Sequence, residues 1–203
     1  MKGARVPRRL FLTSSLAAGG GLLLGYSLSP GMLNQRASAE SPKHSSAASD
    51  IPLNAWVRIT PNDEVTLISS QSEMGQGVMT TLPAVLAEEL GVDWSRVKIE
   101  FSTVAPAYRN PRINWQFTGN SESTTGFFDL LRTMGASARE MLIAAAAKRW
   151  RVNAEDCYAE NGRIIHRPTM QSLRFGDVAE DAARITPSKN PKLKPQSEWK
   201  LLG

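Results

Sequence analysis

Ser70-Gln71-Ser72-Glu73-Met74-Gly75-Gln76-Gly77-Val78 brings hydroxyls, a carboxylate, a thioether, amides and two glycines together, directly ahead of a segment with helical periodicity. The glycines flanking Gln76 permit a tight turn with free backbone N–H groups, and Met74 and Gln76 add one soft and one hydrogen-bonding contact. Such a loop suits a bound cofactor. A second loop, Thr118-Gly119-Asn120-Ser121-Glu122-Ser123-Thr124-Thr125-Gly126, stands in the same relation to a longer helical segment and is rich in hydroxyls. Each loop feeds a helix N-terminus, where unpaired N–H groups and the helix dipole favour an anion such as a phosphate. Two such loops are expected to hold one ligand between them.

The elements around these loops read as an α+β fold. Residues 55–60 and 64–69 alternate about the turn Pro61-Asn62-Asp63 and describe a hairpin whose second strand delivers the first loop. Thr80 is the expected N-cap of the helix that follows, with Pro83 in its first turn, Leu82, Val85, Leu86 and Leu90 at helical spacing, and Gly91 at its end. Val97–Phe101 returns as a strand after a turn at Asp93. Residues 103–116 have no period, and a loop of that length is usually functional or mobile. Residues 127–150 carry an apolar stripe of Phe127, Leu131, Met134, Ala138, Met141, Leu142 and Ala145. Gly135 and the alanines 144–147 keep part of that helix thin enough for close approach. Cys157–Glu160 and Arg163–His166 flank Asn161-Gly162, a pair that supplies the positive φ angles of a tight hairpin turn. Residues 173–183 read as a short strand leading into a helix that starts near Asp177.

The 203 residues suffice for one ordinary domain with appendages. A pI near 9.6 suggests a nucleic-acid binder until the charges are located. Lys2, Arg5, Arg8, Arg9 and Arg36 fall within residues 1–39, which contain no acid; without these five, the 24 Lys and Arg become 19 against 19 Asp and Glu. The remainder is neutral, so a nucleic-acid partner loses its main support. In the leader itself, Pro7-Arg8-Arg9-Leu10-Phe11-Leu12 is followed by a mildly apolar, glycine-rich run and by Ala37-Ser38-Ala39 at a plausible cleavage site. This resembles a twin-arginine signal peptide, with Pro7 in place of the usual Ser or Thr and Thr13 in place of the usual Lys. An uncleaved membrane anchor is the other reading. Export of folded, cofactor-loaded cargo to the periplasm agrees with the ligand loops. Residues 40–53 read as a flexible spacer, 54–186 as the domain, and 187–203 as an extended linker towards a further domain.

Several other groups carry little chemistry. Cys157 is alone and reads as a small core residue, while His44 and His166 have no partners at metal-ligand spacing. Glu88 and Glu89 look like a solvated helix face. No Ser-His-Asp set, Rossmann fingerprint or Walker loop is visible.

Glu73-Met74-Gly75-Gln76-Gly77, the Thr118–Ser123 loop, the helix Leu131-Arg132-Thr133-Met134-Gly135-Ala136-Ser137-Ala138-Arg139-Glu140-Met141-Leu142, and Glu160-Asn161-Gly162 with His166 resemble the molybdopterin-binding large subunit of the xanthine oxidase family. The likeness is to the N-terminal portion of its exported branch, the isoquinoline 1-oxidoreductase and aldehyde dehydrogenase large subunits. The resemblance implies part of a molybdopterin-binding domain preceded by a signal segment. It implies that Met74, Gly75, Gln76 and Gly77 line the pterin of a molybdenum cofactor, in its cytosine dinucleotide form. Gly119, Ser121, Ser123 and Thr124 would hold the dinucleotide tail, with Asn120 standing where the family has glycine. The family's catalytic glutamate has no counterpart here, and Glu73 reads as a loop carboxylate holding a backbone N–H or a cation.

The implied activity is oxidation of aldehydes or N-heterocycles with water as oxygen donor. It would be completed by a complementary C-terminal molybdopterin-binding polypeptide, a small iron–sulfur subunit and a cytochrome c. Two alternatives stay open: an exported, non-catalytic module that binds a nucleotide-like anion, and a non-functional fragment. The fragment would leave the face of Leu131, Met134 and Met141 bare.

Overall fold

The computed structural model describes residues 50–202. The leader and residues 40–49 of the expected spacer lie outside the described residues. Strands β1 (Ile51–Asn54), β2 (Val57–Ile59), β3 (Val65–Ser69) and β4 (Val97–Phe101) follow one another across a four-stranded sheet. β2 and β3 are the expected hairpin, with Val57 opposite Leu67 and Ile59 opposite Val65.

β1 corrects the spacer reading, since Ile51 pairs with Ile59 and Pro52 with Arg58 before the register shifts towards Asn54. A proline is tolerated there because β1 is an edge strand, where a missing N–H need not break a ladder. The order of the chain therefore begins at least three residues earlier than its polar composition implies.

β4 lies parallel to β3, with Val65 opposite Val97 and Ser69 opposite Phe101. Parallel neighbours need a crossover, and helix α1 (Val78–Leu90) supplies it. The crossover brings the carboxyl ends of β3 and β4 to the same edge of the sheet, where Ser102 N donates to Ser69 O at 2.8 Å. Every residue of β3 is buried, Thr66 and Ser69 included, because the strand is interior to the sheet. The first loop leaves from that buried end.

Helix α2 (Glu122–Trp150) packs along α1 and against α3 (Phe175–Ala183). Leu131 and Met141 are buried and Met134 is half-buried, all within the core. The face expected to be bare is thus covered inside this chain. Gly135 sits where a Cβ would come within 2.6 Å of the Leu86 carbonyl oxygen, so its lack of a side chain lets the two helices approach. Trp56 meets Tyr108 and Phe127 edge-on, at centroid distances of 5.1 and 6.0 Å. With the Tyr108 hydroxyl donating to Ala55 O at 2.7 Å, this cluster fastens the unperiodic stretch 103–116 to the core.

Strands β5 (Cys157–Glu160), β6 (Arg163–His166) and β7 (Ser172–Arg174) form a second, antiparallel sheet. Asn161 and Gly162 turn its first hairpin at φ 49° and 73°. Asp177 is not the start of α3 but lies within its first turn, where its carboxylate accepts the Arg174 N–H at 2.9 Å in a capping arrangement.

Glu88 and Glu89 overturn the solvated-face reading, being only 2% and 0% exposed. Glu89 meets Arg132 at 2.7 Å and Arg139 at 3.1 Å, and accepts the Lys194 N–H at 2.9 Å. Glu88 accepts the Lys200 N–H at 2.7 Å and that of Leu201. Burial pushes the Glu88 carboxyl up, but the N–H groups of Leu201 and Lys200 and the Lys194 ammonium hold it below the usual carboxylate range. Segment 187–202 has no strand or α-helix of its own, so its N–H groups need acceptors from elsewhere. Glu88 and Glu89 provide several of them, and Glu140 accepts the Lys192 N–H at 2.7 Å, which ties the segment to α1 and α2.

Candidate functional site

The first loop is organised by Glu73. Its Oε1 accepts the N–H groups of Gly75 at 2.7 Å and Gly77 at 3.0 Å, and its Oε2 accepts that of Met79 at 2.9 Å. Gly75 and Gly77 sit at φ 95° and 80°, with open space around them, so backbone conformation rather than crowding requires glycine. The Gln76 amide folds inward, accepting from Met74 N at 2.6 Å and donating to Ser72 O at 2.9 Å.

Two expectations change here. The N–H groups expected to await an anion at this helix are largely taken by Glu73. The N-cap is Gly77, whose carbonyl accepts from Thr80 and Thr81 at 3.1 and 3.0 Å, and not Thr80. A carboxylate reaching back from Glu73 does the work of a capping hydroxyl, so the helix needs none.

These N–H groups, Met79 first and then Gly77, hold the Glu73 carboxyl below its ordinary value. A depressed folded pKa stabilises the loop above the unfolded value near 4.3, and that support fades as the pH falls through the lower folded value. Glu73→Gln keeps the shape but presents an NH2 group to one donor. It is expected to speed amide exchange at Met79 roughly three- to tenfold at neutral pH. Unchanged exchange in the variant refutes the cap.

The second loop differs in this respect. Asn120 and Ser121 both sit at φ 53°, and Asn is the residue other than glycine that best tolerates that region. Ser121 is the N-cap of α2, and no side chain caps the first turn of that helix. Gly119 makes room for the Phe117 ring, which would lie 2.7 Å from an added Cβ. Glu122 turns aside to Arg112 at 3.4 Å, while Ser121 and Thr124 are exposed. Of the two helix starts, only that of α2 is left open to an anion.

The loops are joined directly. Ser72 N donates to Thr118 Oγ1 at 2.9 Å, and Ser123 Oγ donates to Gln71 Oε1 at 2.9 Å. Between them lies a cleft of about 450 Å³ with Ser70, Gln71, Gln116 and Thr118 among its polar lining and Met74, Phe101 and Val104 among its apolar lining. Met74 is 68% exposed and Val104 93%. The Ser70 hydroxyl is buried without a hydrogen-bond partner.

Met74 thus lines the cleft, whereas Gly75, Gln76 and Gly77 shape the same loop beside it. Gly119, Ser121, Ser123 and Thr124 cluster at the start of α2. Ser70 and Gln71, which stand in the first loop stretch but had no role assigned, and Gln116 are further functional candidates. The one signal was a run of polar residues, Ser69-Ser70-Gln71-Ser72, at the end of an otherwise apolar strand.

A larger hollow of about 1130 Å³, bounded by the end of α1, α2, β5 and segment 192–201, includes neither loop and is not this site. Cys157 and His166 also lie apart from the cleft. Burial raises the Cys157 thiol pKa, and His166 Nδ1 lies 2.7 Å from Thr169 Oγ1.

The model of the family described as "Molybdopterin cofactor-binding domain" matches residues 14–201. Isoquinoline 1-oxidoreductase subunit beta of Brevundimonas diminuta is 39% identical over 128 residues, covering 62% of this chain and 16% of that protein. The membrane-bound aldehyde dehydrogenase (pyrroloquinoline-quinone) of Gluconacetobacter polyoxogenes is 29% identical over 205 residues, 98% of this chain and 25% of that protein. Among solved structures, quinoline 2-oxidoreductase from Pseudomonas putida 86 aligns at 25% identity and a TM-score of 0.47, over 64% of this chain and 16% of that one. The chain spans a quarter or less of the length of these relatives.

Proposed function

The chain belongs to the molybdopterin cofactor-binding domain family, within the xanthine oxidase family, and from that premise we propose that it forms one wall of the cofactor site of a molybdenum hydroxylase. The observation that carries this reading is the cleft between two cross-linked loops, with a partnerless buried hydroxyl in its lining and an uncapped helix start beside it. Those groups fit a ligand with a polar ring system and an anionic tail. Met74 flanks the ring system, Ser70 offers its unused hydroxyl, and Gly75, Gln76 and Gly77 hold the loop in shape. Ser121, Thr124 and the first-turn N–H groups of α2 receive the tail, and Gly119 admits the Phe117 ring beneath it. The exposed apolar side chains of Phe101 and Val104 border the mouth.

When bound, the molybdenum cofactor supplies the redox chemistry that oxidises the substrate carbon with oxygen from water. The relatives' names point to aldehydes and N-heterocycles as the substrate class. One of those names carries a different group, pyrroloquinoline quinone; the family model over residues 14–201 favours the pterin. The dinucleotide form suits the open start of α2, and we take the base to be cytosine. A complementary polypeptide, an iron–sulfur subunit and a cytochrome c complete the assembly, and the Arg8-Arg9-Leu10-Phe11-Leu12 motif supports export to the periplasm.

The test is to co-produce the chain with its complementary polypeptide and assay molybdenum, pterin and the nucleotide released by acid. Wild type is expected to hold all three, and Ser70→Leu with Thr124→Leu to lose most of them. Full occupancy in the double variant, or none in the wild-type assembly, overturns the reading.

A further inference from the structure

We infer that Gln71 is a positioning residue that locks the two ligand loops into one body and removes Ser123 from the set of ligand donors. Gln71 is 1% exposed although its side chain is a polar amide, a burial that is costly unless the amide is hydrogen-bonded. It is bonded at both ends. Nε2 donates to Ser70 O at 3.1 Å, and Oε1 accepts the Ser123 hydroxyl at 2.9 Å, across 52 residues of chain.

A serine hydroxyl has one hydrogen to give. With that hydrogen committed to Gln71, Ser123 can accept a hydrogen bond from a ligand but cannot donate one to a phosphate oxygen. The hydroxyls free to donate at the start of α2 are then those of Ser121 and Thr124, for which no hydrogen bond is made within the described residues. The neighbouring bond from Ser72 N to Thr118 Oγ1 runs between the same two loops, so adjacent residues of the first loop each hold the second. The buried lock and the exposed ligand face are therefore made by different residues. Displacement of either loop has to break the Gln71–Ser123 bond and leave the oxygen of a nearly buried amide without its partner.

The role in ligand binding rests on the cofactor reading, but the lock does not, and the experiment separates them. Gln71→Asn, too short to reach Ser123, and Ser123→Ala are made singly and together in the full chain. Exchange of the Ser72 and Ser123 amides is then followed. Each single variant is expected to raise loop opening about tenfold, with the double variant no worse than either, because both remove the same bond. Ser123→Thr restores the hydroxyl and is expected to return exchange to the wild-type rate. Independent, multiplying effects of the two substitutions, or a Ser123→Thr variant as loose as Ser123→Ala, overturn the lock.

Pterin retention in the co-produced assembly is the second readout. Ser123→Thr is expected to retain it and Ser121→Ala with Thr124→Val to lose it, although that pair leaves the lock intact. A lock that passes the exchange test in an assembly that holds no pterin refutes the cofactor reading alone. Full retention in Ser121→Ala with Thr124→Val refutes the assignment of the tail's hydroxyl donors to Ser121 and Thr124 rather than Ser123.

Discussion

Glu89→Ala is expected to destabilise the chain by about 3–5 kcal/mol, read as a shift in the midpoint of chemical denaturation. The carboxylate is fully buried between Arg132 and Arg139, whose side chains are themselves only 16% and 10% exposed. The intact cluster need not itself be worth that much. Removing the acid leaves two guanidiniums in a poorly solvated site and takes the acceptor from Lys194 N, and the cost of those stranded groups dominates. Glu89→Gln keeps an acceptor and the volume but drops the charge, so an intermediate loss is expected. The pair Arg149–Asp181 provides the contrast: its side chains are 47% and 45% exposed, and Asp181→Ala is expected to cost less than about 1 kcal/mol. The alanine variant should also expose segment 187–202 to proteolysis, since its attachment to α1 runs through Glu88 and Glu89. A loss below about 1 kcal/mol for Glu89→Ala would show that the cluster relaxes or hydrates freely, contrary to its burial.

Gly135→Val is expected to cost about 3 kcal/mol by overpacking the contact between α1 and α2. Helix propensity alone predicts the opposite sign, since any ordinary residue improves on glycine in a helix interior by up to about 1 kcal/mol. Geometry decides the balance. An added Cβ would lie 2.6 Å from the Leu86 carbonyl oxygen and 2.9 Å from Glu89 Cβ, and a helix carbonyl cannot swing aside as a side-chain tip can. Gly135→Ala shares the clash but not the branched γ carbons, and a net loss of about 1–2 kcal/mol follows. Gly119→Ala meets only the Phe117 ring, a side chain rather than a helix carbonyl, and should cost less. Thermal unfolding of the three variants tests the ordering. A neutral or stabilised Gly135→Ala would mean that the helices separate at little expense.

The site was legible as a motif but not as a set of bonds. Two glycine- or hydroxyl-bearing loops ahead of helices are visible as residue types and spacing, and both helices form where periodicity puts them. Glu73 reads from the sequence as a loop carboxylate holding a backbone N–H, and it does hold those of Gly75, Gly77 and Met79, yet nothing in its spacing shows that it would thereby close one of two anion-ready helix starts. Gln71 stands in the same stretch, but what it binds could not be read, for a similar reason. Its role depends on Ser123, which the fold brings to it from 52 residues away.

By itself the sequence determined what depends on near neighbours. Asn161-Gly162 turned a hairpin because those residues tolerate positive φ, Gly91 ended α1 in the left-handed conformation, and the stripe of α2 recurred at helical spacing. The charge of residues 1–39, counted apart from a neutral remainder, took away the main support for a nucleic-acid role in the same local way. Only the tertiary structure decided that β4 runs parallel beside β3 and so brings two strand ends to one cleft. It alone showed that Ile51 joins the sheet and that Glu88 and Glu89 face inward. The physical reason lies in distance along the chain. A turn or a helical stripe is set by residues a few positions apart, whereas the partners of Glu89 stand 43, 50 and 105 residues away. Whether a glutamate faces water or the core is decided by which cations and N–H groups the fold carries to it.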